Sequence, residues 1–334
     1  MIGVEGVQMV SLSLGYVMGQ ALHAAAKLCV ADAIAKGVQS VDEIAAATGT
    51  HPPSLARLLR TLASGGILIE DEPGRFRLTT LGETLRTDVP GSVRSAVIWV
   101  GEPMHYATCG DLAQTLVTGE PAFERRFGRP YFEHLAADPE AARVWDEGMA
   151  CFSAMEDAPI AHAYRFPTGA RVIDIGGGQG GFLAQALKTD PTLRGVLFDL
   201  PAVVENPRLL RETGLVDRCE LIGGDFFAEL PDGGDVYVLK RVLHDWDDAT
   251  CVDLLTRCRK VIPASGRLLV IDAVIPPGDH PHPAKIVDLV MIGVLRGRER
   301  TEQEFADVFT AAGFTLSRVI PTHSMLAIVE GIPH

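Results

Sequence analysis

The chain has 334 residues, enough for two domains of ordinary size. It is 47% hydrophobic and 22% charged, an ordinary globular composition, and its formal net charge is −13. Such acidity argues against nucleic acid and anionic membrane as partners. The six cysteines show no Cys-x-x-Cys pair and no zinc-type spacing, which leads us to expect reduced thiols and no metal site.

Glu5 stands where a signal peptide would carry positive charge. The apolar run over residues 7–35 is interrupted by glycines, His23, Lys27 and Asp32, and is too polar to span a bilayer. A cytoplasmic protein is expected. Residues 7–36 place apolar side chains at helical spacing over two helices (Leu12, Val17, Leu22, Ala26, Val30, Ile34). They are more apolar than a lone surface helix tolerates, which points to burial against a second subunit.

Ser40 to Gly49 reads as a short capped helix. Pro52 opens another, with Leu55, Leu58, Leu59 and Leu62 on one face, stopped by Gly65-Gly66. Strands at 67–70 and 75–78 flank Asp71-Glu72-Pro73-Gly74. Three helices and a wing suggest, by themselves, a DNA-binding regulator. Charge argues otherwise: Arg57 and Arg60 are the only Lys or Arg residues of 51–66, and the wing carries Glu70, Asp71 and Glu72 against Arg75 and Arg77. Residues 1–100 are therefore read as a mostly α-helical, winged-helix-like dimerisation domain.

Residues 101–168 read as a helical connector that contributes to an acceptor pocket. Trp145, Met149, Phe152 and Met155 recur near helical spacing, and such a set serves either as core or as the wall of a site for a planar ligand. Pro167-Thr168-Gly169 marks a hinge. From residue 169 to 334 strands and helices alternate, with strands at 171–175, 196–200, 221–223, 236–240, 267–272, 315–319 and 325–329. This is a doubly wound, Rossmann-like α/β domain.

Its first strand ends in Asp174 and breaks into Gly176-Gly177-Gly178-Gln179-Gly180-Gly181. The glycines fit both a dinucleotide and an S-adenosylmethionine (SAM) signature. An acid before the loop suits a ligand bearing an ammonium group and gains nothing from a pyrophosphate, so SAM is favoured over NAD. Asp199 ends the second strand, where a carboxylate can take both ribose hydroxyls. Asp225 follows the third and can accept from an adenine amino group. Either can instead cap a turn.

The segment Val238 to Asp248 leads from the fourth strand into a helix and carries His244-Asp245-Trp246-Asp247-Asp248. With Val172–Gly180, Phe198-Asp199-Leu200-Pro201, Gly223–Phe227 and Gly297–Phe305, it resembles the SAM-dependent, metal-independent small-molecule O-methyltransferases of the plant caffeate type and their bacterial relatives acting on phenazines and aromatic polyketides. The resemblance covers nearly the whole chain. It implies a homodimer with interlocked N-terminal helices. It implies SAM held by Asp174, Gly176, Gly178, Asp199, Leu200, Gly224, Asp225, Phe226, Phe227, Lys240 and Arg241, with S-adenosylhomocysteine as product. His244 becomes the general base, and Asp272 and Glu299 match the two acids that hold it. Asp245 and Asp247 read as helix caps. Trp246, Asp288, Met291, Ile292 and Leu295 are expected to face the acceptor beside Trp145, Met149 and Phe152. The segment before Glu299 is shorter than in plant members, so plant substrates do not transfer.

Overall fold

A computed structural model describes residues 3–334 and divides into two compact units. One holds the residues up to Ala107 together with Leu135–Phe152, the other Thr108–His134 with Ser153–His334. Residues 101–168 are thus shared between the units, and the helix Pro139–Ala163 has residues in both.

In the first unit the N-terminal stretch forms three helices, Val4–Ser13, Gly15–Lys27 and Val30–Ala35, where periodicity alone predicted two. The breaks fall at Leu14 and at Leu28-Cys29, where Cys29 takes a left-handed φ of 53°. Ser40 caps the helix Val41–Thr48 as expected: its hydroxyl accepts from the Glu43 N–H at 3.3 Å, and the Glu43 carboxylate accepts from the Ser40 N–H at 3.0 Å. The helix Pro52–Ser64 buries Leu55, Leu59 and Leu62 against Ile34, Ile44 and Phe76. The wing is the antiparallel pair β1 (Leu68–Glu72) and β2 (Arg75–Leu78). The helix Val4–Ser13 buries none of its residues; Val4, Val7, Val10 and Leu12 are all exposed.

The second unit is built on a seven-stranded sheet. Its members are β3 (Arg171–Ile175), β4 (Arg194–Asp199), β5 (Cys219–Gly223), β6 (Val236–Lys240), β7 (Arg267–Asp272), β10 (Phe314–Pro321) and β11 (Ala327–Pro333), in the order β10-β11-β7-β6-β3-β4-β5. Strands β3 to β7 run parallel, and β10 and β11 add an antiparallel edge. Strand alternation sends side chains to two layers. Val172, Leu197, Val238 and Ile271 pack with Phe182, Leu183 and Leu187 on one face. Ile173, Ile175, Phe198 and Leu239 pack with Leu254, Leu255, Phe305 and Phe309 on the other. A further parallel pair, β8 (Val274–Ile275) with β9 (Arg300–Thr301), is too short for any sequence period to show.

The chain runs outward from β3 through β4 to β5, then returns to the other side of β3 for β6 and β7. The reversal opens a crevice at the carboxyl ends of β3 and β6, where open α/β sheets bind their ligands. The glycine loop leaves one of those ends and the His244 segment leaves the other.

Candidate active site

The loop after β3 is shaped by backbone that only glycine adopts cheaply: Gly176, Gly178 and Gly180 have φ of +68°, +55° and +76°. The Gly176 N–H donates to the Phe198 carbonyl at 2.8 Å, and the Gly178 N–H donates to Asp199 Oδ2 at 2.8 Å. Asp199 Oδ1 accepts from the Leu200 N–H at 2.7 Å. Asp199 thus ties the end of β4 to the loop after β3. Asp225 accepts from the Phe227 N–H at 2.8 Å and so caps its own turn. The Phe226 ring lies near Gly176, and Gly224 packs against Phe198 so closely that a Cβ there would fall 2.6 Å from the ring.

Asp174 is buried under this loop with neither oxygen in a hydrogen bond of good geometry. Burial drives its pKa up to about 7; Lys240 opposes the rise, and Asp157 and Asp199 add to it. An orphaned carboxylate beneath a glycine loop is costly unless a donor arrives to meet it.

At the end of β6, Lys240 Nζ pairs with Asp157 Oδ1 at 3.0 Å and donates to Ser153 Oγ at 3.1 Å. Arg241 has a left-handed φ of 55°, a strained conformation for a long side chain. Its guanidinium meets Glu156 in a two-pronged pair at 2.7 and 3.1 Å. Glu156 and Asp157 are members of this site that sequence reasoning missed. They sit in the apolar-spaced Pro139–Ala163 helix, where adjacent acids at nearly fully buried positions were the available signal.

His244 follows in a single 3-10 turn, Leu243–Asp245. Its Nδ1 is 3.0 Å from Glu299 Oε1, and its Nε2 is 3.5 Å from Asp245 Oδ1. Of the two acids matched to the histidine, Glu299 makes the contact. Asp272 is buried with both oxygens unpartnered and acts on the ring through its field alone. Asp245 is corrected: it is not a helix cap but faces the imidazole, because the 3-10 turn swings it inward. Asp247 is the cap, accepting from the Thr250 N–H at 2.8 Å.

Burial by itself pushes the His244 pKa down, but Asp245, Glu299 and Asp272 outweigh it and lift the ring to about 9. Burial raises Asp245 to about 6 and Asp272 to about 7.

Asp288, expected at the acceptor, accepts from the Glu299 N–H at 2.9 Å and so fixes the backbone of that acid. Met291 is buried, and Ile292 and Leu295 are half-buried, on and just after the helix Pro283–Val294. Trp246 meets the Phe227 ring edge-on, with centroids 4.9 Å apart. Trp145, Met149 and Phe152 belong to the first unit, where Phe152 lies edge-on to Trp99 at 5.9 Å.

Comparison with known proteins shows the family to which this fold belongs. A family model described as an O-methyltransferase domain matches residues 109–315, and one described as an O-methyltransferase dimerisation domain matches residues 10–88. The chain belongs to the SAM-dependent O-methyltransferase family and is an enzyme. It is 44% identical over 320 residues to the phenazine O-methyltransferase PhzM of Lysobacter antibioticus, covering 96% of this chain and 94% of that protein. It superposes with a TM-score of 0.90 on CalO1, a methyltransferase of calicheamicin biosynthesis solved with S-adenosylhomocysteine, at 40% identity over 99% of this chain and 98% of that one. The TM-score is 0.81 against NcsB1, an O-methyltransferase of neocarzinostatin biosynthesis solved with SAM and 2-hydroxy-5-methyl naphthoic acid, at 35% identity over 95% and 96% of the two chains.

Proposed function

We propose that this enzyme methylates a hydroxyl of a small, planar aromatic acceptor, phenolic or polyketide-like, with His244 as the general base. The observation that carries this reading is the 3.0 Å contact between His244 Nδ1 and Glu299, which leaves Nε2 as the ring nitrogen for a substrate proton.

The residues at the crevice fit SAM. The unpartnered Asp174 carboxylate suits an ammonium group, Asp199 at the end of β4 suits ribose hydroxyls, and Phe226 offers an apolar face near Gly176, with Phe227 against it. Leu200, Gly224, Asp225, Lys240 and Arg241 complete the proposed cofactor-binding set. When bound, SAM supplies an electrophilic methyl on a sulfonium.

The chain's own part is to position the acceptor and take its proton. A phenol with a pKa of ~10 is a weak nucleophile until its O–H bond is broken. His244 Nε2 accepts that proton from the hydroxyl, and Glu299 at Nδ1 stabilises the resulting imidazolium and fixes the tautomer. Asp272 adds favourable charge from its buried position. The imidazolium then returns its proton to solvent. Trp246, Asp288, Met291, Ile292 and Leu295 are the proposed acceptor-facing residues of the second unit.

The exposed apolar side chains of Val4–Ser13 support a homodimer formed through the N-terminal helices. A cytoplasmic location accords with six unpaired cysteines. Among the described residues no helix is long and apolar enough to cross a membrane.

The test is calorimetric titration with S-adenosylhomocysteine, with NAD as control, followed by incubation with methyl-labelled SAM and a panel of hydroxyphenazines and hydroxynaphthoates. Label recovered as an aryl methyl ether is the expected result. Transfer to nitrogen alone, or none across the panel, would overturn the acceptor class.

A further inference from the structure

We propose that Arg300 is a positioning residue for the reaction: it grips the backbone on both sides of His244 and so sets the imidazole where Glu299 can hold it. The proposal rests on the reading of His244 as the base.

Arg300 is the largest of the fully buried side chains, and its guanidinium lies against the turn that carries the histidine. Nη1 donates to the Leu243 carbonyl at 3.0 Å and Nη2 to the Trp246 carbonyl at 2.9 Å. Those two carbonyls bracket His244-Asp245. Asp248 Oδ1, at the start of the following helix, neutralises the charge at 2.7 Å. A guanidinium is charged at every physiological pH, so its full burial requires such a set of partners.

The backbone of Arg300 does a second job. It opens β9 and pairs with Val274, two positions after Asp272, while Glu299 is its immediate neighbour. One residue therefore joins the segments bearing Asp272, Glu299 and His244.

Gly297 supplies an independent close fit to the same turn. A Cβ there would collide with the His244 carbonyl oxygen and the backbone of Asp245. Within four positions, the chain thus touches the histidine turn once through a missing side chain and once through a buried fork. Glu299 lies between the two. Its carboxylate reaches Nδ1 because the backbone on either side of it is pinned to the loop it serves. A lysine cannot replace the fork, since a single ammonium does not span two carbonyls and a carboxylate.

The test uses the full-length protein saturated with S-adenosylhomocysteine and labelled with ¹⁵N in its histidine rings, with His244→Ala to assign the ring. In the wild type we expect a slowly exchanging Nδ1–H on His244, held by Glu299. In Arg300→Lys we expect that proton to exchange freely and the ring's titration midpoint to fall by about one pH unit. S-adenosylhomocysteine affinity should stay within about threefold, because the glycine loop is untouched. Should Arg300→Lys fail to fold, Gly297→Ala reads the same coupling and should show the same change. An unperturbed His244 ring in whichever variant still binds S-adenosylhomocysteine would overturn the proposal. So would loss of binding in both variants, the pattern of residues that merely hold the fold. Full turnover in His244→Ala would instead remove the base assignment and leave the ring measurement standing.

Discussion

Glu299 and His244 are separated by 55 positions yet meet at 3.0 Å, carboxylate oxygen to Nδ1. The contact orients the ring, and with Asp245 and Asp272 it supplies the negative field that makes the imidazole more basic than usual.

Removing the ring is the direct test of the base. His244→Ala should lower turnover by ~10²–10⁴-fold, the range for loss of general base catalysis. S-adenosylhomocysteine affinity should hardly change, since the glycine loop does not depend on the imidazole. Steady-state rates and calorimetry on the same preparation check both halves.

In the proposed mechanism acceptor deprotonation needs the neutral imidazole, and Asp245, Glu299 and Asp272 lift the ring to about 9. Activity should therefore rise with pH from 7 toward 9. Asp245→Asn removes one of the charges that raise the ring, so its acidic limb should move down toward the ordinary value of ~6.5. At pH 7 that variant should show a larger fraction of its own plateau rate than the wild type does. A profile of kcat/KM against pH decides the matter, and an unshifted limb would remove Asp245 from the base's electrostatics.

Asp174 is a cost to the empty protein. Its folded pKa of about 7 lies above the unfolded carboxylate value, so the folded state holds the proton more tightly. Its destabilising effect is absent below about pH 4, grows as pH rises, and is complete above about pH 7. Asp174→Asn should thus leave the ligand-free melting temperature at pH 8 equal to or above that of the wild type. The same change should weaken S-adenosylhomocysteine by ~10–100-fold, the loss of one hydrogen bond to a charged group. Melting curves with and without ligand read both effects.

The proposed dimer depends on side chains that are exposed in the single chain. Val10 and Leu14 are 60% and 53% exposed at the first two N-terminal helices. Val10→Glu with Leu14→Glu places two charges on that apolar surface and should yield a monomer by light scattering while the fold is kept. Retention of the dimer would place the interface elsewhere.

Much of this was legible in the sequence. The parallel strands announce themselves as β-branched apolar runs, because a strand buried on both faces must be apolar throughout. The wing and the Ser40 cap are local patterns written in adjacent residues. His244 was legible from its motif and from its place after β6.

Only the tertiary structure decided what depends on distant parts of the chain meeting. It chose Glu299 over Asp272 as the partner of Nδ1, a choice made by how the segment Gly297–Arg300 packs on the histidine turn. It turned Asp245 from a cap into a charge beside Nε2, since one 3-10 turn decides which of two nearby aspartates faces inward. It brought Glu156 and Asp157 to Arg241 and Lys240, across more than eighty positions. It also showed Arg300 as a buried fork where the sequence showed one more charged residue in a polar run. Sequence period reports which face of an element is buried; it does not report what that face meets, because the meeting is set by sheet order and loop closure.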